Sequence, residues 1–342
     1  MAGANRKQQG SLRCVLAIFQ RGEMMRRSFL RLEPNGDLIK AVEHLPDLQE
    51  GQLYMRVVAA GVCSTDVLLV DARRKGVDVP PSLSDAGQCN SLGHEVIVQS
   101  LGAPGAAEDF FAVIPAERRS SGAYGCMGLS ETSHGGWGSM CIVEDWALIA
   151  IPYYAPRFIL ADSFAPGFGL ARQLQETEGR IVVVGLGALG LGTLWGLSLS
   201  GRDQLVGVDP NMQRIGIAAR TVQRCEFRQT AEIERGDTVI CASSTGSLSR
   251  SSLADWLRKA ERVYCLTHPD WPLDAVRSLA GDDTPIWLHS PPTDHAAAID
   301  ALVGFSAADS FVETVSFQNV ANAGRVSNRS SALRIAMTFW EM

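Results

Sequence analysis

The 342-residue sequence contains no Cys-x-x-Cys pair, although it holds eight cysteines: Cys14, Cys63, Cys89, Cys126, Cys141, Cys225, Cys241 and Cys265. Thiols this scattered in a chain this long do not make a disulfide framework. Their simplest state is reduced, which points to a cytoplasmic protein. No run approaches the roughly 18 apolar residues needed to span a bilayer. Residues 1–9 are polar and carry neither the apolar core nor the cleavage signal of a secretory leader. Basic charge is scarce too. With 31 basic side chains, only four of them lysine, against 37 acidic, the net charge is −6. A nucleic-acid partner needs a basic footprint and is not expected. Internal repeats and low-complexity tracts are absent.

What remains is an ordinary globular composition, 46% apolar and 20% charged, too apolar for disorder. The length predicts two domains. In the first half, residues 14–19, 25–32, 53–60, 94–99, 110–114 and 139–143 are short, β-rich and bounded by turn signals such as Pro34-Asn35-Gly36. Residues 71–91 contain Pro80-Pro81 and are expected to form a loop.

The character changes near Pro152. Residues 161–179 have helical spacing. Arg180-Ile181-Val182-Val183-Val184 then supplies the continuous apolar run of a buried parallel strand. Helices over 187–200, 212–223, 248–260 and 273–280 alternate with strands over 205–208, 238–242, 262–266 and 286–289. That alternation predicts βαβ units and a doubly wound parallel sheet, hence an α/β fold. The tail predicts one or two helices and a strand at 333–339.

Gly185-Leu186-Gly187-Ala188-Leu189-Gly190 fits the G-x-G-x-x-G dinucleotide fingerprint. It follows the buried strand directly and opens a helix, the context that gives the motif meaning. Gly185 permits the tight turn, Gly187 lets backbone N–H groups near a pyrophosphate, and Gly190 lets helix and strand pack closely. The helix N-terminus, at Ala188 and Leu189, faces the phosphate charge. Asp209 ends the next strand, 24 residues after Gly185. Its carboxylate suits the ribose hydroxyls of NAD and repels the 2′-phosphate of NADP. Arg214, five residues on, keeps NADP open.

Upstream lie Gly61-Val62-Cys63-Ser64-Thr65-Asp66 and Leu92-Gly93-His94-Glu95. Thiolate, imidazole and carboxylate are ligand types that zinc prefers. The separation of 31 positions from Cys63 to His94 is not local metal spacing. Spacing alone favours a buried cysteine and a surface His-Glu pair.

These motifs, together with His134-Gly135-Gly136-Trp137-Gly138 and the fingerprint with Asp209, occur in an order similar to that of the zinc-dependent medium-chain alcohol and polyol dehydrogenases. The resemblance covers nearly the whole chain. Residues 125–140 and the long interval between Cys63 and His94 most resemble the glucose and sorbitol dehydrogenase branch. The resemblance implies a GroES-like β domain over 1–154 and 296–342, with a Rossmann NAD(P)-binding domain over 155–295 inserted in it. It implies that Cys63 and His94 ligate one catalytic zinc per chain, with Glu95 a ligand or an exchangeable one. Asp162 stands where sorbitol-type relatives carry Glu-Pro-Leu-Ala, and would be the third ligand. Its alternative is a helix N-cap. Thr65 would relay the substrate proton and Asp66 would hold the ligating tautomer of His94.

The implied activity is hydride transfer between NAD(H) and a secondary alcohol or ketone of a sugar, cyclitol or polyol. The implied assembly is a homodimer or homotetramer. A zinc-free reductase on the same fold, or a non-catalytic dinucleotide sensor, are the alternatives. Many relatives carry a structural zinc on four clustered cysteines. Here the interval 96–133 holds only Cys126, so no structural zinc is expected. Of the other groups, His134 is expected to be structural, His268, His289 and His295 to be surface residues, and Cys225, Cys241 and Cys265 to be small core residues. Residues 242–246 are expected to border the cofactor.

Overall fold

Burial of alternating and continuous apolar runs organises the chain into two units. A computed structural model describes residues 25–78, 89, 91–101, 109–118, 124–130, 133–243, 255–256, 258–266, 286–288, 293–323 and 332–339. The expected strand at 14–19 and helix at 273–280, most of the helix at 248–260, and His268, His289 and residues 244–246 lie outside them.

The first unit spans 1–159 and 305–342. Its strands are β1 (Arg26–Leu32), β2 (Leu38–His44), β3 (Gln52–Val62), β4 (Val96–Gln99), β5 (Phe110–Val113), β6 (Ala116–Arg118), β7 (Tyr124–Cys126), β8 (Met140–Glu144) and β9 (Leu148–Ile151). The tail adds β16 (Val312–Ser316) and β17 (Arg334–Thr338). A seven-stranded sheet runs β16-β17-β3-β4-β5-β9, with β8 also pairing to β3. The C-terminal strand β17 thus lies antiparallel beside β3, Val62 opposite Ile335. Leu30, Leu32, Val57, Val98, Phe111 and Trp137 are among the buried side chains that fill the core.

Where a loop was expected from residue 71, the helix α1 (Ser64–Lys75) occupies the first part of the interval. The Asp66 carboxylate accepts the Cys63 N–H at 2.9 Å and satisfies an orphan donor of the first turn. Arg73, Arg74 and Lys75 sit in the last turn, where positive charge complements the helix dipole. Gly76, at φ +62°, ends the helix in the left-handed region.

The second unit spans 160–304. It contains α2 (Ala161–Gln173), β10 (Ile181–Val184), α3 (Ala188–Leu199), β11 (Leu205–Val208), α4 (Met212–Thr221), β12 (Cys225–Arg228), β13 (Thr238–Cys241), β14 (Arg262–Cys265), β15 (Ile286–Leu288) and α5 (His295–Val303). Between the first unit's tail strands β16 and β17 falls α6 (Phe317–Ala323). Six parallel strands take the order β12-β11-β10-β13-β14-β15. Strand order therefore reverses between β10 and β13, the switch point at which such sheets bind ligands. All four residues of β10 are buried, as a strand covered on both faces requires.

Candidate metal and dinucleotide sites

Three of the expected metal ligands come together in the first unit. Cys63 follows β3 as the N-cap of α1, and His94 and Glu95 precede β4. One ligand atom from each lies within 4.8 Å of the others. The surface His-Glu pair that spacing suggested is instead buried, His94 6% and Glu95 1% exposed. The cause is local packing. The Gly61 N–H donates to the Glu95 carbonyl at 2.7 Å. A Cβ at Gly61 would come 2.9 Å from that of Glu95, so only glycine fits. Trp137 Nε1 donates to the Gly61 carbonyl at 2.9 Å, and the Trp137 N–H donates to the Leu92 carbonyl at 3.0 Å. The Gly-Gly-Trp segment thereby clamps the two ligand-bearing turns together.

Asp66 is fully buried at the hub of this arrangement. Besides the Cys63 amide, its carboxylate accepts the Gly93 N–H at 3.4 Å. Its Oδ1 lies 3.5 Å from His94 Nδ1, an ion-pair distance without hydrogen-bond geometry. Burial opposes ionisation of the Cys63 thiol, but the positive charges of Arg334 and His94 outweigh it and bring the thiol down to about 6. Burial likewise opposes a charged His94, yet Asp66 and Cys63 raise its pKa well above the usual 6.5. Thr65 Oγ1 stands 3.8 Å from Cys63 Sγ.

Arg334 is a site residue the sequence reading missed. It opens β17 and its Nη2 lies 2.8 Å from Glu95 Oε1, with both side chains buried. An arginine in a strand otherwise bound for the core signals a buried carboxylate partner, because an isolated charge there is too costly.

Asp162 lies in the second unit, in the first turn of α2. Its Oδ1 is 3.1 Å from Nε2 of His295. His295 was expected at the surface; it is 7% exposed, because it opens α5 and faces Asp162. Among the described residues, the cluster of donors capable of holding a metal consists of Cys63, His94 and Glu95. That donor set fits zinc: a thiol already shifted toward thiolate, an imidazole, and a carboxylate whose charge Arg334 balances. Within the interval 96–133, β6 and β7 pair antiparallel and β7 ends at half-buried Cys126.

The fingerprint in the second unit is built as a cradle. Gly185 has φ +95°, and a Cβ there would stand 2.7 Å from the Ser243 nitrogen. A Cβ at Gly190 would overlap the Gly185 carbonyl, whereas one at Gly187 would meet nothing within 4 Å. Gly190 therefore serves close helix–turn packing, and Gly187 fronts open space at the start of α3. Asp209 is 2% exposed. It accepts the Leu186 N–H on Oδ2 and the Asn211 N–H on Oδ1, both at 2.8 Å. Each oxygen keeps accepting capacity for a ribose hydroxyl. Arg214 Nη1 reaches Asp209 Oδ2 at 3.5 Å and is half-exposed. Ala188 and Leu189 form the first turn of α3, and Ser243 borders the cradle through Gly185.

The two units have the GroES-like and Rossmann folds of solved medium-chain alcohol and polyol dehydrogenases. No protein-family profile matches the chain. Galactitol-1-phosphate dehydrogenase from Escherichia coli superposes with a TM-score of 0.68 at 14% identity, covering 91% of this chain and 100% of its own. L-idonate 5-dehydrogenase from Escherichia coli K-12 gives 0.67 at 14% identity, covering 93% and 99%. Acetophenone reductase from Geotrichum candidum, solved with NAD, gives 0.67 at 15% identity, covering 94% and 99%. In sequence, a Catharanthus roseus protein described as "CYP enzymes assisting alcohol dehydrogenase" is 24% identical over 199 residues. That match spans 48% of this chain and 52% of the relative, about half its length. Among the described residues no helix is long and apolar enough to cross a membrane.

Proposed function

We propose that the chain is a zinc-dependent NAD(P)(H) oxidoreductase that interconverts a secondary alcohol and its ketone. The observation that carries this reading is the convergence of Cys63, His94 and Glu95 within 4.8 Å in a chain whose second unit presents an open Gly187 at the start of α3. A zinc ion held by Cys63, His94 and Glu95 would supply Lewis-acid polarisation of the substrate oxygen.

The chain's own groups do the rest. Cys63 binds as a thiolate, which its lowered pKa of about 6 provides at neutral pH. Asp66 fixes the turn that carries Cys63 and places its negative charge beside the His94 ring. Thr65 Oγ1 would relay the proton that leaves the substrate hydroxyl, accepting it while passing its own hydroxyl proton on to solvent. The amides opening α3 bind the pyrophosphate, and Asp209 accepts a ribose hydroxyl, favouring NAD. Arg214 offers a guanidinium to a 2′-phosphate, leaving NADP as the second cofactor. The cofactor carries the hydride, and the protein orients it.

A polyhydroxylated substrate, of the sugar, cyclitol or polyol kind, is our choice within this class; the galactitol-1-phosphate and L-idonate dehydrogenases of the same fold support it. A dimer or tetramer is the assembly we propose. Metal analysis of carefully prepared protein tests the reading: about one zinc per chain is expected, retained by wild type and lost from Cys63→Ala. Less than about half an equivalent in wild type, with turnover of a ketone by NAD(P)H, would replace it with a zinc-free reductase. Tight NAD binding without turnover of any alcohol in a polyol panel would replace it with a sensor.

A further inference from the structure

The two thiols that close adjacent strands of the second unit have no part in the chemistry above. Cys241 is the last residue of β13 and Cys265 the last of β14, and they are direct register partners in the parallel ladder. Neighbouring strands lie about 4.8 Å apart, within the roughly 4.4–6.8 Å Cα separation that a disulfide spans. Register partners point to one face of the sheet, which makes the two side chains direct neighbours. Cys241 is buried and Cys265 half-buried.

We propose that Cys241 and Cys265 form an oxidisable dithiol at the C-terminal edge of the parallel sheet, which a small-molecule disulfide closes to an intramolecular bridge.

Their chemistry separates them from the molecule's inert core thiols. Burial raises Cys89 to about 11 and Cys141 to about 12. The neighbouring Cys265 thiol instead brings Cys241 down to about 7 against the effect of burial, while Cys241 and burial together raise Cys265. One member is thus available as thiolate near neutral pH, the form that attacks disulfides. In the first step that thiolate attacks RSSR, forming a protein–SR mixed disulfide and releasing RS⁻. In the second, the other thiol loses its proton, displaces the remaining RS⁻ and forms the Cys241–Cys265 bond. The protein loses two electrons and two protons, and RSSR is reduced to two RSH.

Closure would be felt at the cradle. The Ala242 N–H donates to the Val184 carbonyl at 2.8 Å, and Ser243 packs on Gly185. The strand end that carries Cys241 is therefore continuous with the turn that opens the fingerprint. This consequence for dinucleotide affinity rests on the proposed function; the oxidation itself does not.

The test is to treat the full chain with oxidised glutathione at graded ratios to reduced glutathione, alkylate remaining thiols and map peptides without reduction. A Cys241–Cys265 peptide, with two glutathiones released per bridge, is expected. Cys241→Ser and Cys265→Ser should each abolish it. Recovery of both cysteines alkylated after prolonged exposure to excess oxidised glutathione overturns the proposal. In parallel, NAD affinity is titrated by protein fluorescence before and after oxidation. A loss of about tenfold or more, reversed by dithiothreitol and absent in Cys265→Ser, is expected for coupled sites. A bridge with unchanged affinity overturns the regulatory half alone. Reduced protein that binds no dinucleotide refutes the proposed function and leaves the bridge standing.

Discussion

Arg27 offers the sharpest test of how the ligand-bearing turns are held. Its side chain is fully buried in the first unit and donates four ways. Nε bonds Glu43 Oε1 at 2.6 Å, Nη1 bonds the Gly135 carbonyl at 3.0 Å and the Met140 carbonyl at 3.3 Å, and Nη2 bonds Ser91 Oγ at 2.9 Å. Replacing it by Met keeps most of the apolar stem and deletes every donor. Glu43 is 32% exposed and can turn to water, so its loss is small. Gly135 and Ser91 are buried, and Ser91 Oγ lies 3.5 Å from the Gly135 carbonyl, too long to restore a full bond. Two buried acceptors left short at roughly 1–3 kcal/mol each, less the relief of burying no charge, give a net loss of about 3 kcal/mol for Arg27→Met. Urea unfolding followed by circular dichroism should show that loss as a lower midpoint with an unchanged slope. Because Ser91 and Gly135 flank Gly93 and Trp137, zinc affinity should fall with it. A loss under about 1 kcal/mol, the level of an ordinary surface change, with full zinc content would refute the account.

Glu43 carries the pH dependence of the same lock. Burial alone would raise its pKa, but the His134 hydrogen bond and Arg27 outweigh it and hold it below 4.5. A depressed carboxylate stabilises the fold above its usual pKa, and that contribution fades as pH falls through 4.5. The urea-midpoint gap between wild type and Glu43→Gln should therefore be widest at neutral pH and close in acid; a gap that widens in acid contradicts it. In the cradle, Gly185→Ala would place a Cβ 2.7 Å from Ser243 backbone at φ +95°, and should destabilise the second unit by about 2 kcal/mol; an unchanged melting midpoint would count against the turn as described. Finally, Asp209→Asn should weaken NAD binding about tenfold while narrowing the preference over NADP, and Arg214→Ala should weaken NADP alone; equal losses for both cofactors in both variants would reject these roles.

How much of this was legible in advance depended on how local the cause was. The parallel strands were readable because burial on both faces leaves a run such as Ile181–Val184 wholly apolar. The fingerprint was readable because turn, approach and packing each demand a glycine within six consecutive residues. The helix α1 was obscured by its composition: Asp66, Asp71, Arg73, Arg74 and Lys75 look like loop polarity until Asp66 is seen as a cap and Gly76 as a terminator. Arg334, His295 and Arg27 were hidden for a different reason. Each satisfies a carboxylate distant in sequence, and nothing within either segment announces the partner.

The same distinction explains how the first unit holds together with a single thiol, Cys126, in the interval 96–133. A cross-link between distant segments need not be a metal. Arg27 ties β1 to residues 91, 135 and 140, and Glu117 gathers the intervening turn by accepting the His134 N–H at 3.2 Å and the Ser130 hydroxyl at 3.3 Å. Burial raises the pKa of Glu117, so this carboxyl is retained in spite of its desolvation. One buried guanidinium and one half-buried carboxyl thus converge on the Gly-Gly-Trp segment that clamps Gly61 and Gly93, the residues adjoining the proposed ligands. The arrangement makes ligand geometry depend on polar bonds that must all be satisfied together. Loss of any one donor should therefore be felt at Cys63 and His94 before it is felt in the β-sheet.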